Sequence, residues 1–95
     1  MTNAQIATHM LKYARSIAGT HLYRSRSYRR AAFDIQGLDR PVEELLRERG
    51  RPGLSELPGI GRHLAFTIET LVTTGEFVPY SERNRRRVSA LDRVA

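Results

Sequence analysis

The five residues Leu57-Pro58-Gly59-Ile60-Gly61 constrain this chain more than any other segment. Proline has no amide hydrogen and clashes with the preceding helical turn, and paired glycines weaken any helix interior, so the segment must be a tight loop. Helix is expected on both sides of it. Leu54 to Leu57 reads as one helical turn. From Arg62 to about Thr74, Leu64, Ala65, Ile68, Leu71 and Val72 recur at helical spacing, and Gly75 stops the run. A helix that starts directly after a glycine loop suits an anion. The glycines allow close approach and positive φ, successive N–H groups point outward as a nest, and the helix dipole presents its positive end. Ile60 is expected to tuck inward and pin the loop, and Ala65 to let the flanking helices pack closely. The plain alternative is a purely structural Pro-Gly turn between helices.

The rest of the chain is also helical in period. A first helix is expected near Ala4 to Ala18, with Asn3 as its N-cap, Ile6, Met10, Tyr13 or Ala14, and Ile17 on one face, and Gly19 ending it. A second runs from Arg24 to Gln36 on an apolar stripe of Tyr28, Ala31, Ala32 and Ile35, with Gly37 as terminator. Pro41 falls in the first turn of a short third helix, where its missing N–H is harmless. Val42, Leu45 and Leu46 give that helix its buried side, Gly50 closes it, and Arg51-Pro52-Gly53 reads as a turn. No strand pattern and no repeat of solenoid length is present. The expectation is an all-α, four-helix domain over residues 1–80. The arginines 83, 85, 86 and 87 belong to a basic tail or linker, 81–95, expected to be poorly ordered or loosely helical.

At 95 residues, with 40% hydrophobic and 27% charged residues, the chain suffices for one domain with a modest core and a very polar surface. Its formal charge of +6 and pI of about 10.7 point to an anionic partner, most often nucleic acid. Lys12 is the only lysine, so an arginine-rich, GC-rich genome accounts for part of that balance. Without cysteine there is no disulfide and no thiolate metal site. His9, His21 and His63 lack metal-ligand spacing, and Glu43-Glu44 point in different directions on a helix, so neither group makes a catalytic or metal centre. No signal peptide or membrane span is legible, and a soluble, cytoplasmic, nucleoid-associated monomer is expected.

The loop and its apolar flanks look like the helix-hairpin-helix motif of DNA repair proteins. Upstream, Tyr23-Arg24-Ser25-Arg26-Ser27-Tyr28-Arg29-Arg30-Ala31-Ala32 resembles a Phe-Arg-x-Arg-Ala-Tyr-Arg-x-Ala-Ala stretch in the N-terminal domain of family X DNA polymerases, the DNA polymerase beta group. Asn3-Ala4, Ile6-Ala7, Gly19, the hairpin and Thr74-Gly75 follow in that family's order, so the resemblance spans about Asn3 to Tyr80. It implies a domain that binds the 5′-phosphate side of gapped or nicked DNA in repair. Arg24 falls on a phosphate-binding basic position and Tyr23 on a ring that stacks on a template base. The resemblance further implies a sodium or potassium ion held by the backbone carbonyls of Ser55, Leu57 and Ile60.

Some family members remove a 5′-deoxyribose phosphate through a lysine Schiff base. The corresponding position here is Thr67, which has no amine, and a phosphate-contacting lysine of the family is replaced by His63. The expectation is therefore a non-catalytic DNA-binding domain, whole or part of a longer repair protein. Its DNA and phosphate contacts are Tyr23, Arg24, Arg29, Gly59, Ile60, Gly61, Arg62 and His63, with no cofactor beyond the hairpin cation. Arg29 has an alternative in surface ion pairs with Asp34, Glu43 or Glu44. The rivals are a residual lyase using Lys12 and a hairpin module that binds protein.

Overall fold

A computed structural model describes residues 1–79. Four helices follow in order: α1 Asn3–Ile17, α2 Leu22–Gln36, α3 Val42–Ser55 and α4 Arg62–Thr74, with no strand among the described residues. The basic segment 81–95 lies outside them. Packing is pairwise, α1 chiefly on α2 and α3 on α4, with α1 also touching α4. The expected stripes meet in one core: Ile6, Met10 and Ala14 from α1, Tyr28, Ala31, Ala32 and Ile35 from α2, Val42, Leu45 and Leu54 from α3, and Ala65, Ile68 and Leu71 from α4. Inside the α1–α2 contact, the buried Ser25 hydroxyl donates to the Ala14 carbonyl at 2.7 Å, satisfying a polar group that would otherwise be costly there. No helix among the described residues is long and apolar enough to cross a membrane.

The first cap differs from expectation. Thr2, not Asn3, caps α1: its hydroxyl accepts from the Gln5 N–H at 3.1 Å, and the Gln5 side chain accepts from the Thr2 N–H at 2.8 Å, a capping box. That releases Asn3 to act at long range. Its carboxamide oxygen accepts the Val42 N–H and its NH2 donates to the Arg40 carbonyl, both at 2.9 Å. Asn3 therefore caps α3 from α1, where Pro41 is the N-cap residue and offers no side-chain cap. Asn3→Ala removes both bonds and is expected to destabilise the domain by ~1–2 kcal/mol, a fall in melting temperature of roughly 5–10 °C. An unchanged melting curve would show that water replaces the clamp without loss.

Helix bounds shift as well. α2 begins at Leu22, two residues before the expected start. α3 is two helical pieces joined at Gly50, whose φ of 67° breaks the run as the sequence suggests. Arg51-Pro52-Gly53 is not a turn but the opening of the second piece. Proline is tolerated in a first helical turn because the N–H it lacks has no intrahelical partner. The helix has ended by Glu56, so Leu57 already belongs to the loop.

Candidate nucleic-acid interface

The hairpin is built by two backbone bonds. Leu57 N–H donates to the Leu54 carbonyl and Ile60 N–H to the Leu57 carbonyl, each at 3.1 Å. Leu57 to Ile60 thus closes as a four-residue turn with Pro58 second and Gly59 third, at φ 79°. Proline followed by a positive-φ glycine is the chemistry of a type II turn. Ile60 is 2% exposed and anchors the loop in the core, as expected. Gly61 is the N-cap of α4 with φ −86° and ψ −174°, ordinary extended backbone. The expectation of positive φ thus holds at Gly59 and fails at Gly61. Gly61 brings no capping side chain, and the first helical bond runs from Ala65 N–H to the Gly61 carbonyl at 2.9 Å. The amino end of α4 is therefore closed by backbone alone. A Cβ added at Gly61 would meet nothing within 4 Å.

Helix α2 crosses beside this loop. A Cβ at Gly59 would come within van der Waals overlap of the Asp34 carboxylate and lie 3.1 Å from Arg30 Nε. The two segments enclose an open cleft of about 560 Å³. Tyr23, Arg24, Gly59, Gly61, Arg62 and His63 all line it, so six of the eight expected DNA- or phosphate-contact residues converge from two distant parts of the chain. Ser27, Tyr28, Arg30 and Leu64 complete the wall. Arg30 was not singled out as a contact, and the signal for it was present: it is seven residues after Tyr23, two helical turns along the same face.

Two expected contacts stand elsewhere. Ile60 is in the core, so only its backbone can serve. Arg29 lies outside the cleft, in a shallow hollow with Arg26, Arg30, Phe33 and Asp34. One residue along a helix rotates a side chain by about 100°, which turns Arg29 away where Arg30 turns in. Nor does Arg29 pair with the acids weighed for it. Glu43 holds the Met1 ammonium, Glu44 binds Arg40 at 2.9 Å, and Asp34 makes no ion pair among the described residues.

That partition sets the electrostatics. Carboxylates take up cations of the α3 side: Arg40 with Glu44 and Glu48, Arg49 with Glu56, and Arg51 with Glu69. No carboxylate among the described residues lies within 4.0 Å of Arg24, Arg26, Arg29, Arg30 or Arg62. Five arginines without an ion pair thus lie on α2 and at the start of α4, with the one unpaired carboxylate of Asp34 among them, against Gly59. A second hollow, of about 440 Å³, opens on the other side of α4's first turn between Arg51, Ser55, Arg62, His63 and Phe66.

The expected lyase positions do not join the cleft. Thr67 is fully buried, its hydroxyl donating to the His63 carbonyl at 3.0 Å and lying 3.5 Å from the Val78 carbonyl. Lys12 is exposed on α1 and lines none of these hollows. Of the carbonyl trio Ser55, Leu57 and Ile60, the Leu57 oxygen already accepts from Ile60 N–H, which leaves it one lone pair. No cluster of three or more His, Asp or Glu fit to hold a metal occurs among the described residues.

A family model described as a helix-hairpin-helix domain matches residues 1–77, a span that takes in all four helices. No curated protein and no solved structure matches the chain.

Proposed function

The chain belongs to the helix-hairpin-helix domain family, whose members generally bind DNA or mediate interactions, and on that premise we propose that it binds DNA without regard to base sequence, seating the 5′-phosphate side of a gap or nick in the hairpin cleft. One observation carries the reading: an uncapped helix end, a positive-φ glycine turn and unpaired arginines of α2 face one open cleft. Backbone N–H groups at Gly59 and Gly61 and the start of α4 supply the anion nest, and Arg24, Arg30 and Arg62 add charge. Such contacts fix position on a strand and read no bases. The resemblance of α2 to the N-terminal domain of family X polymerases supports the repair setting. It rests on Tyr23 to Ala32 and the hairpin. The Ser55, Leu57 and Ile60 carbonyls are neutral hard oxygens, a donor set suited to a monovalent cation bridging the loop to a phosphate.

The test is titration of a gapped duplex with and without a 5′-phosphate. We expect the phosphorylated form to bind about tenfold tighter or more, the scale of charge-assisted hydrogen bonds to one anion. With about four phosphates engaged, log K falls against log salt with a slope of roughly −3 to −4. Arg24→Ala weakens binding equally across sequences and flattens the slope by about one unit. Equal affinity for the two duplexes would reduce the hairpin to a structural turn.

A further inference from the structure

Helix α2 carries a row of groups that begins in the hairpin cleft and runs on beyond it. Tyr23, Arg26, Arg30 and Phe33 stand at intervals of three, four and three residues, a single ridge along the helix. All four are exposed, Tyr23 at 86% and Phe33 at 79%. A phenylalanine this exposed contributes almost nothing to the core, so folding does not account for it. Arg29 stands beside the ridge, and the hollow formed with Arg26, Arg29, Arg30 and Phe33 holds one carboxylate, Asp34. None of these arginines has an ion-pair partner among the described residues. The ridge is also continuous with the cleft: Tyr23 and Arg30 line the cleft, while Arg30 and Phe33 line the outer hollow.

From these observations we infer that the outer ridge of α2 is a track for single-stranded nucleic acid, on which Phe33 stacks a base and Arg26 and Arg29 hold the adjoining phosphates. The inference rests on the cleft reading, because the strand it accommodates is the unpaired one opposite the 5′-phosphate. Two rings with arginines between them match what a single strand offers, alternating π-faces and charges, and stacking of this kind tolerates any base. Three arginines against the single carboxylate of Asp34 leave the hollow cationic, which disfavours a cationic occupant and favours a polyanion. Tyr23 and Phe33 are ten residues apart, about 15 Å along the axis, the length of roughly four stacked nucleotides at about 3.4 Å each.

The experiment compares two duplexes, both with a 5′-phosphate, one blunt and one with a six-nucleotide unpaired extension of the opposite strand. The full chain binds the extended duplex more tightly, and the gain levels off near four nucleotides. Phe33→Ala lowers affinity for the extended duplex about tenfold, and Phe33→Trp preserves it. Abasic spacers in the extension reproduce the Phe33→Ala loss. The double variant Arg26→Ala, Arg29→Ala flattens the salt slope on the extended duplex by about 1.4, two single-strand phosphates at about 0.7 each. All these variants bind the blunt duplex as the parent does, which shows that they fold. Parental affinity of Phe33→Ala and of the arginine double variant for the extended duplex overturns the inference and leaves the ridge to a protein partner. Failure of the cleft reading shows separately, as indifference of the blunt duplex to its 5′-phosphate and to Arg24→Ala.

Discussion

Gly59→Ala is expected to lower the melting temperature by roughly 5–20 °C, from ~1–3 kcal/mol of backbone strain, and to abolish phosphate-dependent binding. At φ 79° an L-residue is strained whatever room it has, and here it has none, since the new methyl group displaces the Asp34 carboxylate and crowds Arg30. The turn from Leu57 to Ile60 then opens or α2 moves away, and either change spoils the cleft. Gly61→Val makes the opposite pair of changes. Its backbone is extended and its Cβ points into open space, so the folded state loses only a good N-cap residue, at most about 1 kcal/mol. The isopropyl group would nonetheless stand where the anion approaches the amino end of α4, and binding falls steeply. Melting curves and 5′-phosphate titrations on the two variants separate scaffold from contact. If Gly61→Val folds and binds as the parent does, phosphate does not approach that end of the helix.

Thr67→Lys places an amine where the resemblance would have one, and it is expected to cost several kcal/mol of stability without creating a lyase. Thr67 is fully buried, and its hydroxyl is held by the backbone carbonyls of His63 and of Val78 in the segment after α4. A lysine is larger by several atoms, and its ammonium would have to lie unpaired in that interior or push the Val78 segment off α4. The parent chain itself should yield no borohydride-trapped adduct with a deoxyribose-phosphate end. Thr67 has no nucleophilic nitrogen, and Lys12 is exposed on α1, outside the cleft. A trapped adduct lost in Lys12→Ala would establish the rival enzyme. A Thr67→Lys variant that melts like the parent and traps substrate would mean that this position opens to the cleft.

Much of the local structure was legible. Helical periodicity named the buried faces of all four helices, because the same side-chain spacing that makes a stripe also fills the core. The hairpin was legible because proline and two glycines exclude helix there. Misreadings arose where two local solutions were chemically equivalent. Thr2 and Asn3 are both good N-caps, and the choice fell to Thr2 because Asn3 has a better use 39 residues away at Val42. Arg51-Pro52-Gly53 has a turn composition that also suits the first turn of a helix.

The sequence by itself determined a basic, helical chain with one glycine turn opening a helix, since these follow from residue type and spacing alone. Only the tertiary structure decided which azimuth of α2 meets that turn. It admits Arg24 and Arg30 to the cleft, leaves Arg29 outside, and makes Gly59 rather than Gly61 the residue that tolerates no side chain. The physical reason is rotational: successive residues differ by about 100° in azimuth, so the roll of α2 on α1 decides which arginine faces the turn. That roll is fixed by core contacts between residues far apart in the chain, which no local pattern records.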